Sequence, residues 1–138
     1  MAAESLTLEQ IDRQEAVMAR AFAAGDVGAT RPLYDPDVVY LSPTTRLYGS
    51  PTRIEGVDAT LAFIARTIAE VSDIAYAVDE RAVIPAGRGA YVRVHFDFTM
   101  GGARLRSTYV VVYRYRAGRI VQQELYYDPG APLRAGAT

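Results

Sequence analysis

The chain predicts an α+β domain: a largely antiparallel sheet with helices packed on one of its faces. Two observations carry this. Helical periodicity is confined to the first half of the 138 residues, and the second half reads as four long strands separated only by short glycine-containing turns. Strands joined so tightly pair antiparallel, and the helices that precede them must bury their apolar stripes against that sheet.

The first helix begins at about Thr7, which forms a capping box with Gln10 while Leu6 staples onto the following turn. Ile11, Glu15, Met18 and Phe22 then share one stripe, and Gly25-Asp26 with Gly28 ends the run. Glu15 is the misfit on that stripe and reads as a side chain snorkelling from its edge, with a pocket carboxylate as the alternative. Gly28 to Leu33 leaves room for one short helical turn, and Val38-Val39-Tyr40-Leu41 is a β-branched and aromatic strand ending at Ser42-Pro43. Thr44 to Glu55 has no period and is expected to be a loop able to cover a pocket mouth. Val57, Leu61, Ile64, Ile68 and Val71 form the clearest amphipathic helix, with Asp58 favourably placed in its first turn. Strands are expected over Ile74–Ile84, Ala90–Met100, Leu105–Arg116 and Ile120–Asp128, with turns at Pro85-Ala86-Gly87, Gly101-Gly102 and Ala117-Gly118.

Composition narrows the function. The length fits one domain over 1–138, with a core at about 7–129 and a loose tail over 130–138. The net charge is -1, all fifteen basic residues are arginine, and Arg104, Arg106, Arg114 and Arg116 form the one tight basic group, so nucleic acid is not an expected partner. No cysteine is present, which excludes disulfides and thiolate chemistry, and His95 is the single histidine, so no metal site is expected. No dinucleotide or phosphate-loop fingerprint exists, and no cofactor is expected. The start MAAESLTLEQ lacks a signal-peptide pattern and no stretch is long and apolar enough for a membrane span, so a cytoplasmic protein without membrane partners is expected.

The element order, with the segments GDVGATRPLYDPDVVYLSP and GRIVQQELYYDP, resembles the superfamily of nuclear transport factor two, ketosteroid isomerase, limonene epoxide hydrolase and the SnoaL-like polyketide cyclases. The resemblance covers about residues 7–129. It implies a curved, mixed sheet wrapped over the N-terminal helices as a cone-shaped barrel with an internal pocket, a small apolar ligand, and a homodimer formed through the outer sheet face.

Carried over position by position, the family's catalytic sets are broken. The isomerase base falls on Ser42, its oxyanion-stabilising tyrosine on Met18, and its protonated acid on a strand, Ala103–Arg116, that has no carboxylate. The epoxide hydrolase's arginine-x-aspartate pair falls on Arg93 and His95, and its second aspartate near Leu125. The cyclase groups fall at Leu125 and about Val111.

Two readings of the remaining chemistry are open. Tyr91, Arg93, His95, Asp97 and Thr99 alternate with Val92, Val94, Phe96, Phe98 and Met100 on one strand. If the polar face looks into the cavity, His95 is a general acid or base, Asp97 holds its tautomer and Arg93 stabilises a developing anion; if it looks outward, the enzyme loses its only good base. The second reading is a binding pocket walled by Tyr40, Tyr109, Tyr113, Tyr127, Gln123, Met18 and Phe22, taking a mostly apolar, aromatic or polyketide-like molecule. Glu124 and Asp128 lie about 13 Å apart along their strand, too far to share acid and base work on one bond.

Overall fold

A computed structural model describes residues 6–84, 89–127 and 134–135. Helix α1, Leu8–Ala24, starts as its sequence dictates: the Thr7 hydroxyl accepts from the backbone N–H of Gln10 at 3.2 Å, and the Gln10 side chain accepts from the Thr7 N–H at 2.8 Å. Gly25 closes it in the left-handed conformation. A 3-10 segment, Val27–Leu33, leads into β1, Tyr34–Leu41. The stretch expected to be a plain loop holds a second 3-10 segment, Pro43–Tyr48, and a short strand, β2, Arg53–Glu55, which pairs antiparallel with β1. Helix α2, Val57–Ile68, ends one turn before Val71, the last residue of its apolar repeat.

Strands β3, Ser72–Ile84, β4, Gly89–Met100, β5, Ala103–Arg116, and β6, Arg119–Tyr127, are consecutive antiparallel neighbours, and β6 also pairs parallel with β1. The sheet order β2-β1-β6-β5-β4-β3 makes it mixed. The cone expected from the resemblance is present, but the sheet does not close into a barrel: β2 and β3 stay at its two edges. Gly101 and Gly102 both take positive φ in the β4–β5 turn, and Ala117 and Gly118 do so in the β5–β6 turn. These are the backbone values of a two-residue hairpin whose twist matches its strands. The expected turn at Pro85-Ala86-Gly87 lies outside the described residues. Of the tail expected over 130–138, the backbone of Arg134–Ala135, β7, pairs with β5 at Leu105 and Arg106, and the rest lies outside the described residues.

Breaks in strand register bend the sheet. One of them, between Val78 and Glu80 of β3, turns two successive carboxylates, Asp79 and Glu80, to the same outer side. Helix α1 lies against β3 and α2 against β1, on the concave side. The core between them joins Ile11, Met18, Leu61 and Ile64 of the helices to Val38, Val92, Val94, Val111 and Ile120 of the sheet.

Candidate functional site

The concave face does not fill completely. A cavity of about 470 Å³ remains between helices and sheet, the size range of small-molecule sites. Period-two alternation decides which strand residues face the helices and the cavity. In β4 the inner set is Val92, Val94, Phe96 and Phe98, and across the β4–β5 pairing Phe96 faces Ser107, Val94 faces Tyr109 and Val92 faces Val111. In β6 the inner set is Gln123, Leu125 and Tyr127, opposite Tyr113, Val111 and Tyr109. Met18 and Phe22 of α1 and Tyr76 of β3 add to one wall, and Tyr40 with Pro43, Thr44, Leu47 and Tyr48 to another. Ile64, Thr67 and Ile68 of α2, Val71, and Met100 at the end of β4 complete the lining. The rings interlock: Phe22 stacks on Tyr76 at 5.4 Å and meets Phe96 edge-on at 5.5 Å, and Tyr109 lies 5.3 Å from Tyr127.

All seven residues expected to wall a pocket, Met18, Phe22, Tyr40, Tyr109, Tyr113, Gln123 and Tyr127, line this cavity. His95, Arg93 and Asp97 are on the other side of the sheet. Their strand puts its apolar residues inward, so of the two directions that alternation left open the polar face takes the outward one, away from the cavity. Arg93 pairs with Asp79. His95 pairs through Nδ1 with Thr108 Oγ1 at 3.0 Å and lies 3.5 Å through Nε2 from Asp79. Asp97 is held below the ordinary carboxylate range by a two-pronged bond from Arg106, at 2.7 and 3.0 Å, and does not bond His95.

Of the other positions tested against known catalytic sets, three lie at the cavity, yet with the wrong chemistry. Met18, Val111 and Leu125 line it and carry neither acid nor base. Ser42 is buried at the end of β1, where its hydroxyl accepts from the Thr44 N–H and caps the 3-10 segment.

A carboxylate bonded to two residues of the cavity wall is one the helix pattern assigned to snorkelling. Glu15 is 4% exposed, not at the edge of its stripe. The Tyr76 hydroxyl donates to its Oε1, the Tyr113 hydroxyl donates to Oε2 at 3.2 Å, and Gln14 Nε2 donates to Oε2 at 2.9 Å. Burial raises its pKa, against the pull of those three hydrogen bonds. Glu15 stands behind the wall, with Tyr76 and Tyr113 between it and the cavity. Burial likewise pushes the hydroxyls of Tyr40, Tyr76, Tyr109 and Tyr113 well above their ordinary value, so these walls stay neutral.

The sequence profile of the SnoaL-like domain matches residues 15–123. The chain belongs to the SnoaL-like domain family. Among curated proteins no sequence matches it. Solved structures share its fold. A protein with a ketosteroid isomerase-like fold from Catenulispora acidiphila DSM 44928, in complex with trimethylamine, superposes with a TM-score of 0.71 at 16% identity, over 92% of this chain and 91% of that one. An epoxide hydrolase of M. tuberculosis resembling limonene epoxide hydrolase gives 0.68 at 17% identity, over 90% and 86%. A nuclear transport factor two-like protein of unknown function from Burkholderia pseudomallei K96243 gives 0.70 at 25% identity, over 86% and 91%.

Sequence reasoning did not name every lining residue: Tyr76, Phe96 and Phe98 were left out, and so was the polar Ser107. Ser107 shares the inner face of β5 with Leu105, Tyr109 and Val111, so the signal was its place in the alternation. Among the described residues, no helix is long and apolar enough to cross a membrane, and no cluster of three or more histidine, aspartate or glutamate residues could hold a metal.

Proposed function

We propose that this SnoaL-like domain is a small-molecule-binding protein whose ligand is uncharged, mostly apolar, and aromatic or polyketide-like. One observation carries the reading: a cavity of about 470 Å³ is walled by aromatic and aliphatic side chains and has no charged or histidine residue in its described lining. A charged ligand would leave water there without a counter-charge, whereas a flat apolar one exchanges hydration for ring contacts. The side His95 faces supports the same reading, since a general acid or base on the outer sheet surface cannot reach a molecule held inside.

The test is methyl NMR on protein labelled at methionine, titrated with a panel of flat ketones, phenols and quinones. Binding in the cavity moves the Met18 methyl resonance and leaves the His95 ring signals in place. A panel that moves His95 and leaves Met18 still overturns the proposal.

A homodimer through the outer sheet face is part of the proposal. That face carries Tyr126, 56% exposed, beside the half-buried Val110, and Val112 lies two residues further along β5. Sedimentation of the wild type against Val112→Glu tests it; a wild type that sediments as a monomer at high concentration rules it out.

A further inference from the structure

Two buried side-chain oxygens lack a hydrogen-bond partner among the described residues, Thr60 Oγ1 and Ser107 Oγ. Thr60 belongs to α2 and does not line the cavity. Ser107 does line it: the residue is 5% exposed, on the inner face of β5, directly across from Phe96. Burying a hydroxyl with nothing to bond destabilises a fold relative to an apolar side chain of the same shape. An unpartnered hydroxyl on a cavity wall is placed to bond a molecule held in the cavity, water or ligand.

A second polar atom waits at the far end of the same wall. The Tyr34 hydroxyl donates to Gln123 Oε1 at 2.7 Å, and Tyr34 is not a lining residue. The bond turns the amide oxygen into the wall and leaves the Nε2 hydrogens, unpaired among the described residues, for the cavity. Gln123 faces Tyr113 across the β5–β6 pairing, and Tyr113 is six residue steps along β5 from Ser107, about 20 Å along a strand. Between these poles the inner face is apolar and aromatic: Tyr109 and Val111 from β5, Leu125 and Tyr127 from β6.

We infer that Ser107 and Gln123 are the two specificity residues of the cavity, and that they select an elongated, flat molecule with an oxygen at each end. The Gln123 end takes a hydrogen-bond acceptor, a carbonyl or hydroxyl oxygen; the Ser107 end takes a hydroxyl or carbonyl. The ligand class is a phenol, ketone or quinone oxygenated at both ends. This inference rests on the binding reading above and deepens it.

The test uses diphenylhexatriene, a rod-shaped hydrocarbon that fluoresces when it leaves water, and its 4,4′-dihydroxy derivative. The wild type is expected to bind the dihydroxy probe more tightly. Ser107→Ala and Gln123→Leu each weaken that binding about tenfold, the effect of one lost hydrogen bond, while affinity for the hydrocarbon stays within about twofold. Without any probe, Ser107→Ala raises Tm, because it removes the unpaired hydroxyl. Binding of both probes that neither substitution changes overturns this inference and leaves the pocket intact, as does a fall in Tm for free Ser107→Ala. Fluorescence with neither probe overturns it too, and the binding reading falls with it if the Met18 methyl also stays still across its own panel.

Discussion

Tyr113 of β5 donates a hydrogen bond to Glu15 of α1 across 98 residues of sequence, and Tyr76 of β3 donates to the other oxygen of the same carboxylate. One side chain thereby ties the first helix to two strands of the sheet, at the back of the cavity wall. The tie has a pH signature. Burial holds Glu15 above its ordinary value of 4.5, so the folded chain keeps this proton more tightly than the unfolded chain does. A raised value means that the contribution is fully present below the unfolded value and is lost as pH rises through the folded one. Glu15→Gln cannot ionise. Its stability relative to wild type is therefore expected to improve steadily from pH 4.5 toward neutrality in urea unfolding at a series of pH values. A gap between the two that is constant over that window refutes the burial account. Glu15→Leu, by contrast, strands the hydroxyls of Tyr76 and Tyr113 and the amide of Gln14, and should cost about 2–4 kcal/mol at every pH.

The β5–β6 turn holds a correctable strain. Ala117 sits at φ 52°, in the left-handed region, where its Cβ crowds the following carbonyl, and Gly118 beside it takes φ 80° without that penalty. Ala117→Gly removes the crowding but adds chain entropy to the unfolded state. The net expectation is a gain of about 0.5–1 kcal/mol. Gly118→Ala moves the other way by about 1 kcal/mol or more. Thermal unfolding of the two variants checks the pair, and equal Tm values would show that the turn relaxes freely.

Much of this fold is legible in the chain because its signals are local. The capping box at Thr7 and Gln10, the apolar repeat of α2 and the glycine turns at 101–102 and 117–118 each need only a few neighbouring residues. The strand β2 was not legible, since Arg53-Ile54-Glu55 has two charged residues in three and becomes a strand only by pairing with β1. The cavity walls were readable from alternation, which puts Tyr109 and Tyr113 on one face. Alternation also left the direction of β4 open until the sheet was seen to curl toward Val92, Val94 and Phe96. Glu15 could not be placed, because what keeps it inside are hydroxyls 61 and 98 residues away. Ser107 stood on a readable face, but the absence of a partner for its oxygen is a property of three dimensions.

The cavity mouth gives a prediction that separates stability from binding. The 3-10 segment Pro43–Tyr48 is pinned by Tyr48, whose ring meets Phe63 edge-on at 5.7 Å and carries the Arg66 guanidinium at 5.2 Å. Its neighbour Leu47 lines the cavity, yet is 80% exposed. A side chain so hydrated in the folded state gains little from folding, so Leu47→Ser should change stability by no more than about 0.5 kcal/mol. A molecule seated in the mouth covers that side chain, and hiding part of a leucine contributes on the order of 1 kcal/mol. Leu47→Ser should therefore weaken diphenylhexatriene about three- to tenfold in the same fluorescence titration, with urea unfolding unchanged. Equal affinity in wild type and variant would mean that ligand sits wholly below the rim, against the ring cluster of Phe22, Tyr76 and Phe96, and that Leu47 belongs to the solvent surface alone.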